Sequence, residues 1–147
     1  MSNILRLIIL LFLTGLYSSC QKIETHNSLS ESQILYIKKM GLLDSNEVIQ
    51  SFYSEHTKKI AGNFFTDKRM AKYWTDGRDS SKNEISSAFY SEIISIDTVF
   101  NAGLTYCPYM LVTKNDKTTF KVCVEGKKEE VKKFFEEAMK IWNTKKG

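Results

Sequence analysis

Asn63-Phe64-Phe65-Thr66-Asp67-Lys68-Arg69-Met70-Ala71-Lys72-Tyr73-Trp74 reads as two strands joined by a tight turn. Ile60 to Thr66 forms the first arm and Asp67-Lys68 the turn. Arg69 to Trp74 alternates as a half-buried return strand should. Thr66 and Asp67 carry oxygens that can bond their own turn backbone. Arg69 then opens the return strand, where its stem can cover apolar surface and its head can pair with an acid. A structural role is therefore expected for the Thr66–Arg69 turn.

Working outward, the same period recurs. Val48 to Tyr53 is β-branched and aromatic, and a polar loop from Ser54 to Lys59 leads from it into the hairpin. Downstream, Asp76-Gly77 opens a polar loop to Asn83. Glu84–Phe89 and Ile93–Phe100 follow as strands with Tyr90-Ser91-Glu92 between them, and Asn101-Ala102-Gly103 breaks the pattern. Tyr109–Thr113, a turn at Lys114–Lys117 and Thr118–Glu125 make a second hairpin. Lys127 to Trp142 places Val131, Phe134, Phe135, Ala138, Ile141 and Trp142 at helical spacing. Glu129–Lys133 and Glu136–Lys140 stand four apart on its wet face. The stripe is expected to pack over the sheet, since a membrane-lying helix would carry a mostly basic polar face. The expected fold is α+β: about seven antiparallel strands in a barrel or sandwich, capped by a C-terminal amphipathic helix, with a short N-terminal helix.

Residues 31–47 form the helical lead-in. Ser30 and Gln33 fit a capping box, Ile34, Leu35, Ile37 and Met40 supply an apolar side, and Gly41 can end the helix. Asp44 to Glu47 is a turn or a second short helix. Residues 20–30 are polar and without period, and read as a flexible tether.

Residues 1–19 have a short start bearing Arg6, a greasy run from Leu7 to Leu13, and small residues before Cys20. That is the layout of a secretory signal peptide. The run is too short and too interrupted for a lasting span, which needs about 20 apolar residues. Leu16-Tyr17-Ser18-Ser19-Cys20 resembles the lipobox of bacterial lipoproteins. The resemblance implies acylation of Cys20, cleavage before it, and a protein held at the cell envelope by its acyl chains, facing the periplasm or the cell surface. Two or three chains anchor stably where one holds marginally. At about 5–6 Å × √n, a ten-residue tether would hold the domain roughly 15–20 Å from the bilayer.

The strand and helix order resembles a pleckstrin-homology (PH) domain, over residues 48–143. Asn63–Trp74 is similar to the strand–Thr-Asp-x-Arg–strand hairpin of bacterial PH-like domains. Ile85 with Phe89-Tyr90-Ser91-Glu92-Ile93-Ile94-Ser95-Ile96-Asp97 is similar to the strand that follows it. The resemblance implies a binding module. In PH domains that take phosphoinositides, basic residues sit in and beside the first hairpin loop. The residues here are His56, Lys58 and Lys59, with Lys72 on a later strand. They lack the Lys…Arg-x-Arg spacing, so phosphoinositide binding is not implied.

Removing 19 of 147 residues leaves 128, enough for one domain with a real core. Arg6 is the one charged residue removed, leaving 20 basic against 17 acidic residues, or +3. That balance is too mild for nucleic acid. No His-Glu-x-x-His, Cys-x-x-Cys, Gly-x-Ser-x-Gly, P-loop or Gly-x-Gly-x-x-Gly occurs. No catalytic residue, metal ligand or cofactor is expected. Cys107 and Cys123 flank the second hairpin, in a compartment where disulfides persist. They face each other if its turn centres on Asn115. If it centres between Asn115 and Asp116, Cys123 faces Pro108, and a slip of one residue flips faces. The leading expectation is a non-enzymatic, lipid-anchored module for an envelope protein or peptide. The alternatives are an anionic headgroup binder using Lys58, Lys59 and Lys72, and a thiol-redox protein or enzyme using Cys107 or Cys123.

Overall fold

The computed structural model describes residues 23–146. The signal peptide expected at 1–19 and the lipidation expected at Cys20 lie outside the described residues. The elements are helix α1 (Glu31–Lys39), strands β1 (Ile49–Tyr53), β2 (Ala61–Thr66), β3 (Arg69–Trp74), β4 (Glu84–Phe89), β5 (Ile93–Val99), β6 (Tyr109–Lys114) and β7 (Thr119–Cys123), and helix α2 (Lys128–Lys145). Strands β1-β2-β3-β4 form one antiparallel sheet and β5-β6-β7 a second. The architecture is a two-sheet sandwich rather than a closed barrel.

Alternation along the strands gives the first sheet two faces. Tyr53, Phe65, Met70 and Ala88 point inward, to a core shared with Met110, Val112 and Val122 of the second sheet and with α2. Helix α2 supplies Val131, Phe134, Phe135, Ala138 and Trp142, all buried. Phe65 and Phe134 meet edge to face at 4.9 Å between ring centres, a geometry that aromatic quadrupoles favour. On the wet face of α2, Lys132 pairs with Glu136 at 3.6 Å and Lys133 with Glu137 at 3.8 Å. These replace the pairs expected from spacing. Exposed pairs of this kind contribute only a few tenths of a kcal/mol whichever forms.

The outer face of the first sheet is also covered. Phe52, Phe64, Ala71 and Tyr73 pack under Leu29, Ile37, Leu42 and Leu43. Helix α1 opens on its expected capping box: Ser30 Oγ accepts from Gln33 N at 3.3 Å and Gln33 Oε1 accepts from Ser30 N at 2.9 Å. Gly41 ends the helix region at φ +74°, where a glycine has no steric cost. Leu35 points outward instead of joining the apolar side. Tyr36 takes a place there and sets its ring edge-on to Tyr73 at 6.1 Å. Residues 44–47 form a turn, not a second helix.

The segment read as a tether is folded from Ile23 onward. Glu24 exchanges two 2.8 Å backbone hydrogen bonds with Phe52, extending the β1 edge. Lys58 forms an ion pair with Glu24. His26 Nδ1 accepts from Ile49 N at 3.3 Å, and Leu29 is buried. Polar composition hid this docking, because backbone pairing to a distant strand leaves no periodic trace.

Lys117 adopts φ +67° in the β6–β7 turn. Lys114 N donates to Thr118 O at 2.9 Å and Lys117 N to Lys114 O at 2.9 Å. The extra left-handed residue moves the centre of the hairpin to Asp116, so Tyr109, not Cys107 or Pro108, faces Cys123. Cys107 stands two residues before Tyr109, on the same side of the sheet. Its Cα is 5.8 Å from that of Cys123, and the two are joined in a disulfide.

Candidate functional site

The turn that announced the fold is built as a buried polar network. Glu47 and Arg69 are 2% and 4% exposed. Arg69 Nε donates to Glu47 Oε1 at 2.9 Å and Nη2 to Oε2 at 2.7 Å. Thr66 Oγ1 donates to the same carboxylate at 2.5 Å. Asp44 N donates to Glu47 Oε2 at 2.9 Å, Arg69 Nη1 reaches Gly41 O at 3.2 Å, and Asp44 pairs with Arg69 at 3.0 Å. The guanidinium lies 4.2 Å from the centre of the Phe89 ring. Its donors are spent on the lead-in, so Thr66 and Arg69 join the N-terminal segment to the sheet instead of facing a ligand.

The four basic candidates do not gather in one cluster: the two with ion pairs, Lys58 and Lys72, turn to different acids. His56 is an exposed loop residue. The carbonyl of Lys58 accepts from the Tyr73 hydroxyl, and that of Lys59 from Tyr36 at 2.9 Å and Thr75 at 2.7 Å. The loop is thereby clamped to the outer face, and the Lys58 ammonium is taken by Glu24. Lys72 alternates with Tyr73, so it points to the inner face, where it pairs with Glu84 at 2.7 Å. Lys58 and Lys72 are thus held by separate acids, Glu24 and Glu84, while His56 and Lys72 both act on Glu55.

Lys72 instead lines a cleft of about 330 Å³ between the inner face of β2–β4 and the β7 edge. Asn63, 3% exposed, spans its floor: Oδ1 accepts from Cys123 N at 2.9 Å, and Nδ2 donates to Glu55 Oε2 at 3.1 Å. Trp74 and Tyr106 stand on its walls, 38% and 49% exposed. Lys121 Nζ lies 4.5 Å from the ring centres of both Tyr106 and Tyr109, which are edge to face at 5.6 Å. The Cys107–Cys123 disulfide pins the segment carrying Tyr106 beside β7. Partial desolvation raises the Glu55 carboxyl above its ordinary range, opposed by the Asn63 bond. The hydrogen bond from Lys72 holds Glu84 below its own. The cleft thus offers aromatic faces, cations and carboxylates together. Lys72 and Cys123 were the sequence candidates within it. Trp74, two residues from Lys72 on the same face, left a weak signal, and Tyr106, outside the strands, left none.

A second groove, of about 660 Å³, runs between α2 and the β1 edge. Ile23, Phe65, Phe134 and Ile141 supply its apolar lining, and Lys133, Glu137 and Lys140 its rim.

Among the described residues, no three His, Cys, Asp or Glu side chains are grouped to hold a metal, and no helix is long and apolar enough to cross a membrane. His26 Nδ1 accepts from Ile49 N, and the backbone N–H of His56 donates to Ser54 Oγ.

No family model and no curated protein matches the chain. Two solved structures resemble it. One is a DUF1696-family protein with a pleckstrin-homology domain from Shewanella loihica PV-4, with TM-score 0.52 and 13% identity, covering 84% of this chain and 97% of that one. The other is a pleckstrin-homology domain from Shewanella amazonensis SB2B, with TM-score 0.49, 15% identity, and coverage of 86% and 97%. The seven antiparallel strands among the described residues, the capping α2 and the first of these likenesses together establish that the chain has a pleckstrin-homology-like fold.

Proposed function

We propose that the chain is a non-enzymatic binding module, held at the cell envelope by acyl chains on Cys20, that takes a protein or peptide partner in the cleft between β2–β4 and β7. The observation that carries this reading is the pair Trp74 and Tyr106, exposed on a concave surface floored by the buried Asn63. Rigid aromatics in a pocket are the side chains from which binding hot spots are built. Lys72 and Lys121 with Glu55 and Glu84 supply both signs of charge for orienting a polypeptide. The lipobox-like Leu16–Cys20 supports the anchor.

A photo-crosslinking residue at Thr105, beside Tyr106, tests the cleft in intact cells. The expected result is one discrete protein adduct, lost on Trp74→Ala with Tyr106→Ala while the protein level is unchanged. An adduct indifferent to both substitutions, or none at all, overturns the cleft as the partner site. Truncating one such anchor typically weakens binding by about 2 kcal/mol or more, roughly thirtyfold.

A further inference from the structure

We infer that the last turns of α2, together with Ile23, form a bilayer-facing surface that holds the domain in one orientation against anionic phospholipid headgroups. The inference rests on the proposed acylation of Cys20 and adds a geometry to it. Glu24 is fastened to Phe52 by two backbone hydrogen bonds, and His26 and Leu29 dock behind it. Three Cα–Cα steps then separate Cys20 from Ile23, a reach of at most about 11 Å. An acylated Cys20 therefore cannot let the domain float at tether length. Whatever surrounds Ile23 must lie beside the headgroups.

What surrounds Ile23 suits that position. Lys140, Ile141 and Thr144 line the same groove as Ile23, with Lys133, Glu130 and Glu137 on the earlier turns of α2. From Ala138 to Lys146 the helix end carries Lys140, Lys145 and Lys146 and no acid. The four glutamates of α2 all lie earlier, at 129, 130, 136 and 137. The basic, acid-free end thus adjoins the point where the chain leads to its anchor, and clustered lysines are attracted to anionic lipid within about a Debye length. The Trp74 cleft lies at β3 and β4, across the sheet from the β1 edge, and stays open to a partner.

The test uses acylated protein purified from membranes, carrying one fluorophore at Asn143→Cys or at Lys82→Cys in the β3–β4 loop. It is placed on phosphatidylethanolamine–phosphatidylglycerol vesicles containing a headgroup-labelled quenching lipid. Quenching is expected at position 143 and not at 82. Lys140→Glu with Lys145→Glu and Lys146→Glu should abolish that difference while the protein still floats with the vesicles. Equal quenching at both positions in protein whose Cys20 is shown by mass to be acylated overturns the orientation and leaves the anchor standing. A Cys20 without acyl chains overturns the anchor, and the orientation with it.

Discussion

Under α2, the inner face of the first sheet is closed by Phe65 and Met70 against Phe134, an apolar seal that gives way to Asn63 and Lys72 only toward the cleft. Its outer face is closed by residues 29–47, and there the apolar layer of Phe52, Phe64 and Tyr73 ends in a buried ion pair, Glu47 with Arg69. The inner seal is tolerant of detail, since hydrophobic residues of about the right size pack from many starting points. The outer seal has a register. A bidentate carboxylate–guanidinium pair, with Thr66 and Asp44 N bonded to the same carboxylate, accepts one placement of the lead-in on the sheet. The comparison teaches what each seal is for: α2 stabilises the sandwich, and the ion pair locates the N-terminal segment that runs back to Ile23.

The sharpest way to break that comparison is to remove Glu47. Glu47→Ala strands a buried guanidinium and should destabilise the fold by about 3–5 kcal/mol. Phe134→Ala should cost a similar amount, about 3–5 kcal/mol, through a cavity. Urea unfolding then separates the two mechanisms. Glu47→Leu with Arg69→Met should recover most of the loss, because an apolar pair of similar volume replaces a buried ion pair at little cost. If the double variant is no better than Glu47→Ala, the pair does not act as a unit.

Gly62 probes the apolar part of the outer seal. A Cβ there would sit 2.6 Å from Tyr73 Cζ and 2.8 Å from Phe52 Cε2. Gly62→Ala should therefore destabilise by about 1–3 kcal/mol through overpacking, read by thermal unfolding. A neutral result would show that the Tyr73 ring and its hydrogen bond to Lys58 are free to shift. The smallest effect belongs to the cap of α1. Ser30→Ala removes the oxygen bonded to Gln33 N and should cost about 1 kcal/mol. Hydrogen exchange should quicken in α1 and remain unchanged in α2.

Much of this fold was legible because it is written between near neighbours. Arg69–Trp74 and Glu84–Phe89 were readable as strands to the residue, although β3 is buried on both faces and not on one. The stripe from Val131 to Trp142 declared a helix with one buried side. The candidate cleft was far less legible. Lys72 was named for its charge, but its neighbours Glu55, Asn63, Glu84 and Lys121 come from four other parts of the chain. Lys58 and Lys59 looked like partners of Lys72 because charge is visible in sequence and the face of a sheet is not.

The amino-acid sequence by itself determined the placement of the strands, the amphipathic stripe of α2, the cap at Ser30 and the acid-pairing role expected of Arg69. These follow from local backbone geometry and from the cost of burying an unpaired charge. Tertiary structure alone decided that Glu47 is the acid, that Lys117 shifts the hairpin so that Cys107 meets Cys123 on the diagonal, and that residues 23–30 add to the β1 edge. Each of these depends on groups brought together from distant positions, where the free energy of a hydrogen bond or ion pair is set by burial and geometry that no local pattern records.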